Sequence, residues 1–401
     1  MYKKIIILLI IFSNILLSAQ EKQKSWDIEG FGTFGGSFQN DDTAIFRTSL
    51  DSQKGSKDDF SFATDSKIGL QYYNNLTNKL SFMVQGISKN FSKEGGVSKI
   101  EWANLKYNLN KNSNIRIGRL KVPLYMYSDI QNVTYAYTWL RLPLEIYSAL
   151  PFSGIDGIES YNQFTLKDHS IIIQMSYGKN KESILKEQSN TTLELENIKS
   201  ISIKDYVGDF QFKISYFDTY ATVTDDTFKT LFNTMRTYSL NDLADDYDIN
   251  RKKLSFFNLS FSYFGNDNFV VSEFIELKSN SVLGDGRSGY ISAGHTFGKF
   301  TPYITIANMK NYEYKSKYDL PNTSAALILL NTNIKAVKRA LAVIQESKSI
   351  GFRYELSNTA AFKFQYDRIK TKEGYNNLHT TNANYKERKI NVFSATLDFL
   401  F

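Results

Sequence analysis

From residue 26 to the last residue, the chain keeps returning to short stretches in which large apolar side chains occupy every second position. In DFQFKISY (209–216), Phe210, Phe212, Ile214 and Tyr216 share one face, and Asp209, Gln211, Lys213 and Ser215 share the other. FFNLSFSY (256–263) sets Phe257, Leu259, Phe261 and Tyr263 against Asn258, Ser260 and Ser262. SIGFRYEL (349–356) and FKFQYD (362–367) repeat the pattern, with Arg353, Glu355, Lys363, Gln365 and Asp367 among the polar members. A period of two is a β-strand whose faces meet different surroundings. A sandwich core would mix small and large residues on its apolar face. Here that face is almost wholly large, while the other carries charges that no core accepts unpaired. Lipid outside and water inside accounts for both faces. Strands manage this only in a closed barrel, because open edges do not survive in hydrocarbon.

The alternation predicts about sixteen strands, an even number as bacterial single-chain barrels require. They fall at 26–38, 60–73, 79–90, 97–109, 113–120, 157–166, 169–178 and 196–206. The second half adds 209–222, 253–264, 268–278, 287–297, 300–314, 347–356, 360–370 and 388–401. Turn-like stretches such as NNLTN (74–78), NKN (110–112), GND (265–267) and SNT (357–359) alternate with long connectors at 39–59, 121–156, 179–195, 223–252, 315–346 and 371–387. Short periplasmic turns and long outer loops are the asymmetry of outer-membrane barrels. The expected fold is therefore all-β: a transmembrane antiparallel barrel over 20–401.

The ends of the chain agree. Residues 1–19 join a basic start (Lys3, Lys4) to an apolar run and a small-residue site at Ser18-Ala19, the form of a secretory signal peptide. At the other end, Phe393, Ala395, Leu397, Phe399 and Phe401 alternate with Ser394, Thr396, Asp398 and Leu400. Zero cysteines exclude disulfides, thiolate metal sites and a cysteine-linked lipid anchor. Removing the leader takes 48 bases to 46 against 41 acids, a mild positive balance without a basic block, so nucleic acid is not an expected partner.

One connector has unusual content. Residues 121–156 hold Tyr125, Tyr127, Tyr135, Tyr137, Trp139, Tyr147 and Phe152, and three of the five prolines, Pro123, Pro143 and Pro151. That is the wrong composition for a solvated tail, and a long aperiodic connection is usually functional. A second connector contains SAALILLNTNIKAVKRALAVI (324–344), where Leu327, Leu330, Ile334, Val337, Leu341 and Ile344 recur at three-four spacing. That is an amphipathic helix with Ser324 at its start, expected to cover the barrel mouth rather than bind lipopolysaccharide or a partner. DDYDIN (245–250) opens like a calcium loop at Asp246, Asp248 and Asn250, but Arg251 stands where glycine is needed and Phe257 where glutamate is needed. A solvated acidic loop is expected there, with no metal and no cofactor. His169, His295 and His379 lie far apart and no G-x-S-x-G occurs, so no catalytic residues are assigned and an enzyme is not expected.

The terminal alternation ending in phenylalanine resembles the sorting signal that the barrel-assembly machinery reads by strand pairing. Close strand approach is expected against WDIEGFGTFGGSFQ (26–39), whose glycines suit it. With only residues 20–25 between leader and barrel, a plugged transporter is not expected. GRLKVPLYMYSDIQNVTYAYTWLRLPLEIYS (118–148) is similar to a stretch of proteobacterial porin-like proteins, and the whole mature chain resembles the Gram-negative general porins. That resemblance implies an outer-membrane location, contact with outer-membrane lipid and lipopolysaccharide, a homotrimer, and a third outer loop folded inward to set the pore. It makes the chain a passive channel for small hydrophilic solutes and ions. A sugar-preferring porin, or an adhesin or receptor working through its loops, are the alternatives.

Alternation places Lys67, Lys106, Arg116, Lys213, Arg353 and Lys363 in the lumen as bases, with Asp65, Asp209, Glu355 and Asp367 as acids. The small excess of bases predicts weak anion preference. By resemblance, Asp129, Glu145 and Asp156 face some of these bases, while Arg116, Arg119, Lys121 and Arg141 line or anchor the constriction. The terminal strand generates a first prediction. Deleting Phe401 should leave unassembled chain in the periplasm, scored by the heat-modifiable band in outer-membrane fractions. A normal amount of that band would contradict the sorting role.

Overall fold

The computed structural model describes residues 25–401 except 42–44, 49–54, 57–59, 93–94, 151, 153, 187–188, 373–378 and 381–386; the leader, Pro151 and part of the 371–387 connector therefore lie outside the described residues. Sixteen strands form one closed antiparallel barrel, each paired with its sequence neighbours. They are β1 (Trp26–Gln39), β2 (Lys67–Asn75), β3 (Leu80–Ser92), β4 (Gly95–Asn108), β5 (Ser113–Lys121), β6 (Gly154–Leu166), β7 (His169–Lys186) and β8 (Ser189–Val207). The second half is β9 (Phe210–Thr224), β10 (Lys252–Phe264), β11 (Asn268–Ser279), β12 (Gly286–His295), β13 (Phe300–Asn311), β14 (Ile344–Ser357), β15 (Ala360–Lys372) and β16 (Arg388–Leu400). The strand count matches the alternation. One connector does not: the expected loop 179–195 is instead the paired outward extension of β7 and β8, interrupted by a bulge between Gly178 and Asn180. There the outward face carries exposed polar residues such as Lys181 and Glu194 while Leu193 and Leu195 stay buried in the inner cluster, so the greasy outer half of the alternation disappears although the strand continues.

Outward-facing residues form the greasy belt. Phe210, Phe212, Ile214, Tyr216, Leu259, Ile350, Tyr354, Phe362, Phe393 and Leu397 are all exposed, as a lipid-facing surface must be. Their sequence neighbours Lys213, Ser215, Ser260, Arg353, Lys363, Gln365, Ser394, Thr396 and Asp398 point inward and are buried. The inner face is not polar throughout. Phe217, Phe256, Phe269, Val271, Ile275 and Tyr290 also face inward and are buried, which makes an apolar wall on β9–β12.

What covers that wall is the connector between β5 and β6. It enters the barrel as two 3₁₀ turns and a short helix α1 (Leu144–Tyr147). Leu124, Tyr125, Trp139, Leu142, Ile146 and Tyr147 pack with Phe217, Phe256, Phe269, Val271 and Tyr290 in a single cluster. At about 1.5–3 kcal/mol for each large side chain buried, this contact holds the loop inside. Above the barrel, α2 (Asp226–Thr237), α3 (Asn241–Tyr247) and α4 (Ala325–Leu341) form a second cluster around Phe232, Met235, Leu243, Leu330 and Ile334. Helix α4 is the expected amphipathic segment, and the Ser324 hydroxyl accepts a hydrogen bond from Leu327 N at 3.3 Å. Asp245 and Asp248 of the supposed calcium loop both accept from Arg236 Nη2, at 2.8 and 3.1 Å.

The barrel closes between β1 and β16. Phe401 exchanges both backbone hydrogen bonds with Gly30, at 2.6 and 2.9 Å. Gly32 stands opposite Phe399, and a Cβ on Gly32 would lie 2.4 Å from the Phe399 ring. The missing side chain is thus a socket for the ring of the neighbouring strand. Replacing Gly32 with leucine should slow or abolish closure, and the double variant Gly32→Leu/Phe399→Ala should recover part of it. The fraction of heat-modifiable barrel after refolding into detergent micelles reports both, and an unaffected Gly32→Leu single variant would refute the socket.

Candidate functional site: the passage beside the inner loop

The inner loop is held by side chains projecting from strands around much of the wall. From β9, Lys213 donates to the Tyr125 carbonyl, and the Ser215 hydroxyl donates to the Pro123 carbonyl at 3.1 Å. On β11, the Glu273 carboxylate accepts from Met126 N at 2.9 Å, from the Tyr290 hydroxyl at 3.0 Å, and from the Tyr147 hydroxyl. Trp139 Nε1 donates to the Ser292 hydroxyl at 2.7 Å, and Leu140 N donates to the Tyr303 hydroxyl at 2.9 Å. Gln345 of β14 donates to Glu145 at 2.5 Å. Arg353 donates to the carbonyls of Tyr135 and Tyr137, at 2.5 and 2.9 Å. Lys363 of β15 donates to the carbonyls of Thr134, Tyr137 and Trp139, at 2.7, 2.6 and 2.9 Å, and pairs with Asp398 at 2.9 Å. The loop answers with one cation of its own: Arg141 forks onto Asp65 at 2.8 and 3.1 Å and reaches Asp367 at 2.8 Å and Ser394 at 2.6 Å. The bidentate geometry suits a planar guanidinium, whose carbon also lies 4.9 Å from the Phe46 ring centre.

Since these contacts and the apolar cluster crowd the loop toward β9–β16, the remaining space lies against β1–β5. Two cavities occur there. One, of about 150 Å³, lies between the loop and β2–β4; its charged lining is Lys67, Lys89, Lys99, Arg141 and Asp65. The other, of about 690 Å³, lies toward the periplasmic turns, with Glu29, Lys106, Arg116 and Asp129 as its charged lining. Arg116 pairs with Glu159 at 2.6 Å and its guanidinium carbon stands 6.0 Å from the Trp102 ring centre.

Three expected positions need correction. Arg119 and Asp156 are not in the lumen. They pair with each other at 2.8 Å on the exterior, with side chains 43% and 47% exposed, beside outward-facing Ile117 and Ile158. Arg116 already points inward, so strict alternation sends Arg119 out. Asp209 is exposed in the turn between β8 and β9 rather than on the lumen wall. The remaining charged loop residues divide: Asp129 borders the lower cavity, but Glu145 is buried against Gln345 and faces no base of the passage. Lys121 is buried in an ion pair with Glu101, and Lys213, Arg353 and Lys363 grip the loop.

Lys89, Lys99 and Glu273 were not foreseen. Lys99 follows from parity: where β3 steps from Gln85 to Gly86 its partners jump from Trp102 to Ile100, so an alternation read through 97–109 without the extra Glu101 loses count, whereas Lys89 simply keeps the inward parity of Ser81 and Gln85. Glu273 had a visible signal, as a carboxylate inside the mostly apolar run FVVSEFI (269–275).

No protein-family model matches the chain, and no curated protein matches it. Solved structures do. OmpF of Salmonella typhi aligns with TM-score 0.55 and 13% identity over 94% of this chain and 97% of that one. An anion-selective porin from Comamonas acidovorans aligns with TM-score 0.54 and 10% identity, covering 94% and 100%. OmpT of Vibrio cholerae, in a trimer form, gives TM-score 0.51 and 11% identity over 94% and 100%. The chain has the fold of an outer-membrane porin. A closed barrel with this lipid-facing belt belongs in the outer membrane of a Gram-negative bacterium.

The grip on the loop can be tested directly. Arg141→Ala would strand Asp65 and Asp367 as buried, unpaired carboxylates, a loss of about 3–5 kcal/mol for such a network. The expected outcome is a lower unfolding temperature by circular dichroism and a noisier single-channel trace. A variant as stable and quiet as the parent would show that the fork does not hold the loop.

Proposed function

We propose that the chain is a passive diffusion porin for small hydrophilic solutes and ions, with a weak preference for anions. The observation that carries the reading is the pair of polar cavities left between the inner loop and β1–β5, which we read together as one passage. Its narrow upper part is lined by four bases and one acid, Lys67, Lys89, Lys99 and Arg141 against Asp65. The wider lower part balances Lys106 and Arg116 against Glu29 and Asp129. Charges of one sign in a narrow pore with low-dielectric walls favour the opposite ion, and the balanced lower part keeps that preference small. No catalytic role is assigned: His169 pairs with Asp205 at 2.7 Å and His295 with Asn268 at 2.7 Å, both exposed. A homotrimer, assembly by the barrel machinery and contact with lipopolysaccharide belong to the same proposal and rest on resemblance to the general porins.

The sugar-preferring alternative fits less well, because Tyr125, Tyr137, Trp139 and Tyr147 are all buried and spend their faces on packing. The adhesin alternative keeps one supporting observation, the helical cap of α2–α4 above the barrel. Planar bilayers separate the readings. A porin gives regular conductance steps with a reversal potential shifted slightly toward the anion, and shortening the loop between Tyr127 and Tyr137 should enlarge the steps. A silent protein with intact heat-modifiable barrels would favour the loop-acting alternative. Selectivity should be read at low salt, since 1 M salt shortens the field to about 3 Å.

A further inference from the structure

We propose that the lower cavity, toward the periplasmic turns, is a binding vestibule for a small zwitterion with an apolar body, of the class of a short apolar peptide. The inference rests on the porin reading and adds a solute class to it. The cavity holds about 690 Å³, inside the range of roughly 300–1,000 Å³ usual for ligand pockets. Strand pairing orders its inner face. Glu29, Gln71, Gln85 and Trp102 stand opposite one another in a single row across β1–β4. Nearer the turns, Lys106 on β4 stands directly opposite Arg116 on β5. The inner loop contributes Asp129, Ile130 and Val133 from the facing side.

Most of these charges are not spent on one another. Arg116 pairs with Glu159 at 2.6 Å. Among the described residues, Lys106, Glu29 and Asp129 make no hydrogen bond or ion pair, although all three line the same cavity. Like charges directly opposite each other destabilise a sheet, so an anionic group beside Lys106 and Arg116 relieves that pair. A simple anion would then meet the carboxylates of Asp129 and Glu29. A solute that also carries an ammonium group answers both signs and brings no net charge into the cavity. The neutral lining adds the chemistry of a peptide bond. Gln85 Nε2 donates to Gln71 Oε1 at 3.0 Å, which leaves Gln85 Oε1 and Gln71 Nε2 unused among the described residues; an amide side chain offers both donors and acceptors. Trp102 is 8% exposed, and its indole N–H has no partner among the described residues. Buried donors are rarely left so. Ile130, Val133 and Leu400 supply an apolar surface for the solute's side chain.

A solute held on its path gives saturable passage, unlike free diffusion. The test titrates alanyl-phenylalanine, its N-acetylated form, its C-terminal amide and alanyl-alanine into the intact barrel by calorimetry in detergent. The same compounds are added to chloride-carrying channels in bilayers. Each derivative removes one recognised feature: the ammonium, the carboxylate or the large apolar side chain. The expected result is a saturating block by alanyl-phenylalanine and an affinity about tenfold lower for each of the other three, the effect of one lost charge-assisted bond or one lost buried side chain. Lys106→Gln and Asp129→Asn, with folding checked by heat modifiability, should each weaken the parent dipeptide by about tenfold. Lys106→Gln should also stop distinguishing the dipeptide from its C-terminal amide. An N-acetylated form that binds as tightly as the parent would overturn the zwitterion. Absence of binding by all four compounds, with regular conductance steps intact, would overturn the vestibule and leave the porin reading standing. Silent channels that still rank the four compounds in the expected order would remove the porin reading and keep the vestibule. The derivative series needs no variant, so it decides the matter even where a substituted barrel misfolds.

Discussion

In hydrocarbon an unpaired peptide group has nothing to bond, and that constraint orders everything else in this molecule. It obliges sixteen strands to close on themselves, which in turn makes the pairing of β1 with β16 the last condition for stability. It also divides the side chains into two populations with different solvents. The outward population can be uniformly large and apolar because lipid asks nothing more of it. The inward population must satisfy its own polarity, and does so against an inserted loop. The lumen is consequently less a tube of water than a polar interior in which cavities remain beside the loop.

Those cavities exist because the loop is not centred. An apolar wall on β9–β12 draws the aromatic side of the loop toward it, and cations on β9, β14 and β15 fasten the backbone there. Neither would hold alone: buried cations without carbonyl or carboxylate partners are strongly unfavourable, and an aromatic loop without a matching apolar patch would expose its rings. Together they displace the loop from β1–β5, where lysines on β2–β4 border one of the cavities left beside it.

Much of the architecture was legible because lipid imposes a period of two on the residues that touch it. The sixteen strands, the short turns and the outward set from Phe393 to Phe401 all follow from that period, and the helix after Ser324 was legible from its own three-four spacing. The signal fails wherever the chain leaves lipid. Between 179 and 195 the strands run on with polar residues such as Lys181 and Glu194 on the outer face, and the sequence there reads as a loop. Opposite Gln85–Gly86 the extra residue Glu101 reverses parity along β4, hiding Lys99. Arg119 and Asp156 failed differently, since alternation from Arg116 placed Arg119 outside and only the family likeness drew it inward. The partners of Arg141 and Lys363 depend on a loop meeting residues from 76 to 253 positions away, which no local pattern encodes.

The wall holds the loop largely by its main chain. Lys363, Arg353, Lys213 and Ser215 all end on carbonyl oxygens, groups that every residue type supplies equally. A change of side chain at Thr134, Tyr135 or Pro123 would therefore leave those bonds in place, whereas a change at Lys363 would remove three at once. The two partners consequently differ in how freely they can evolve. Wall positions that look like ordinary lumen charges are the constrained ones, and the loop is comparatively free to drift. A lineage carrying this barrel could re-tailor what passes through it by substitutions in the loop, keeping the frame that positions them.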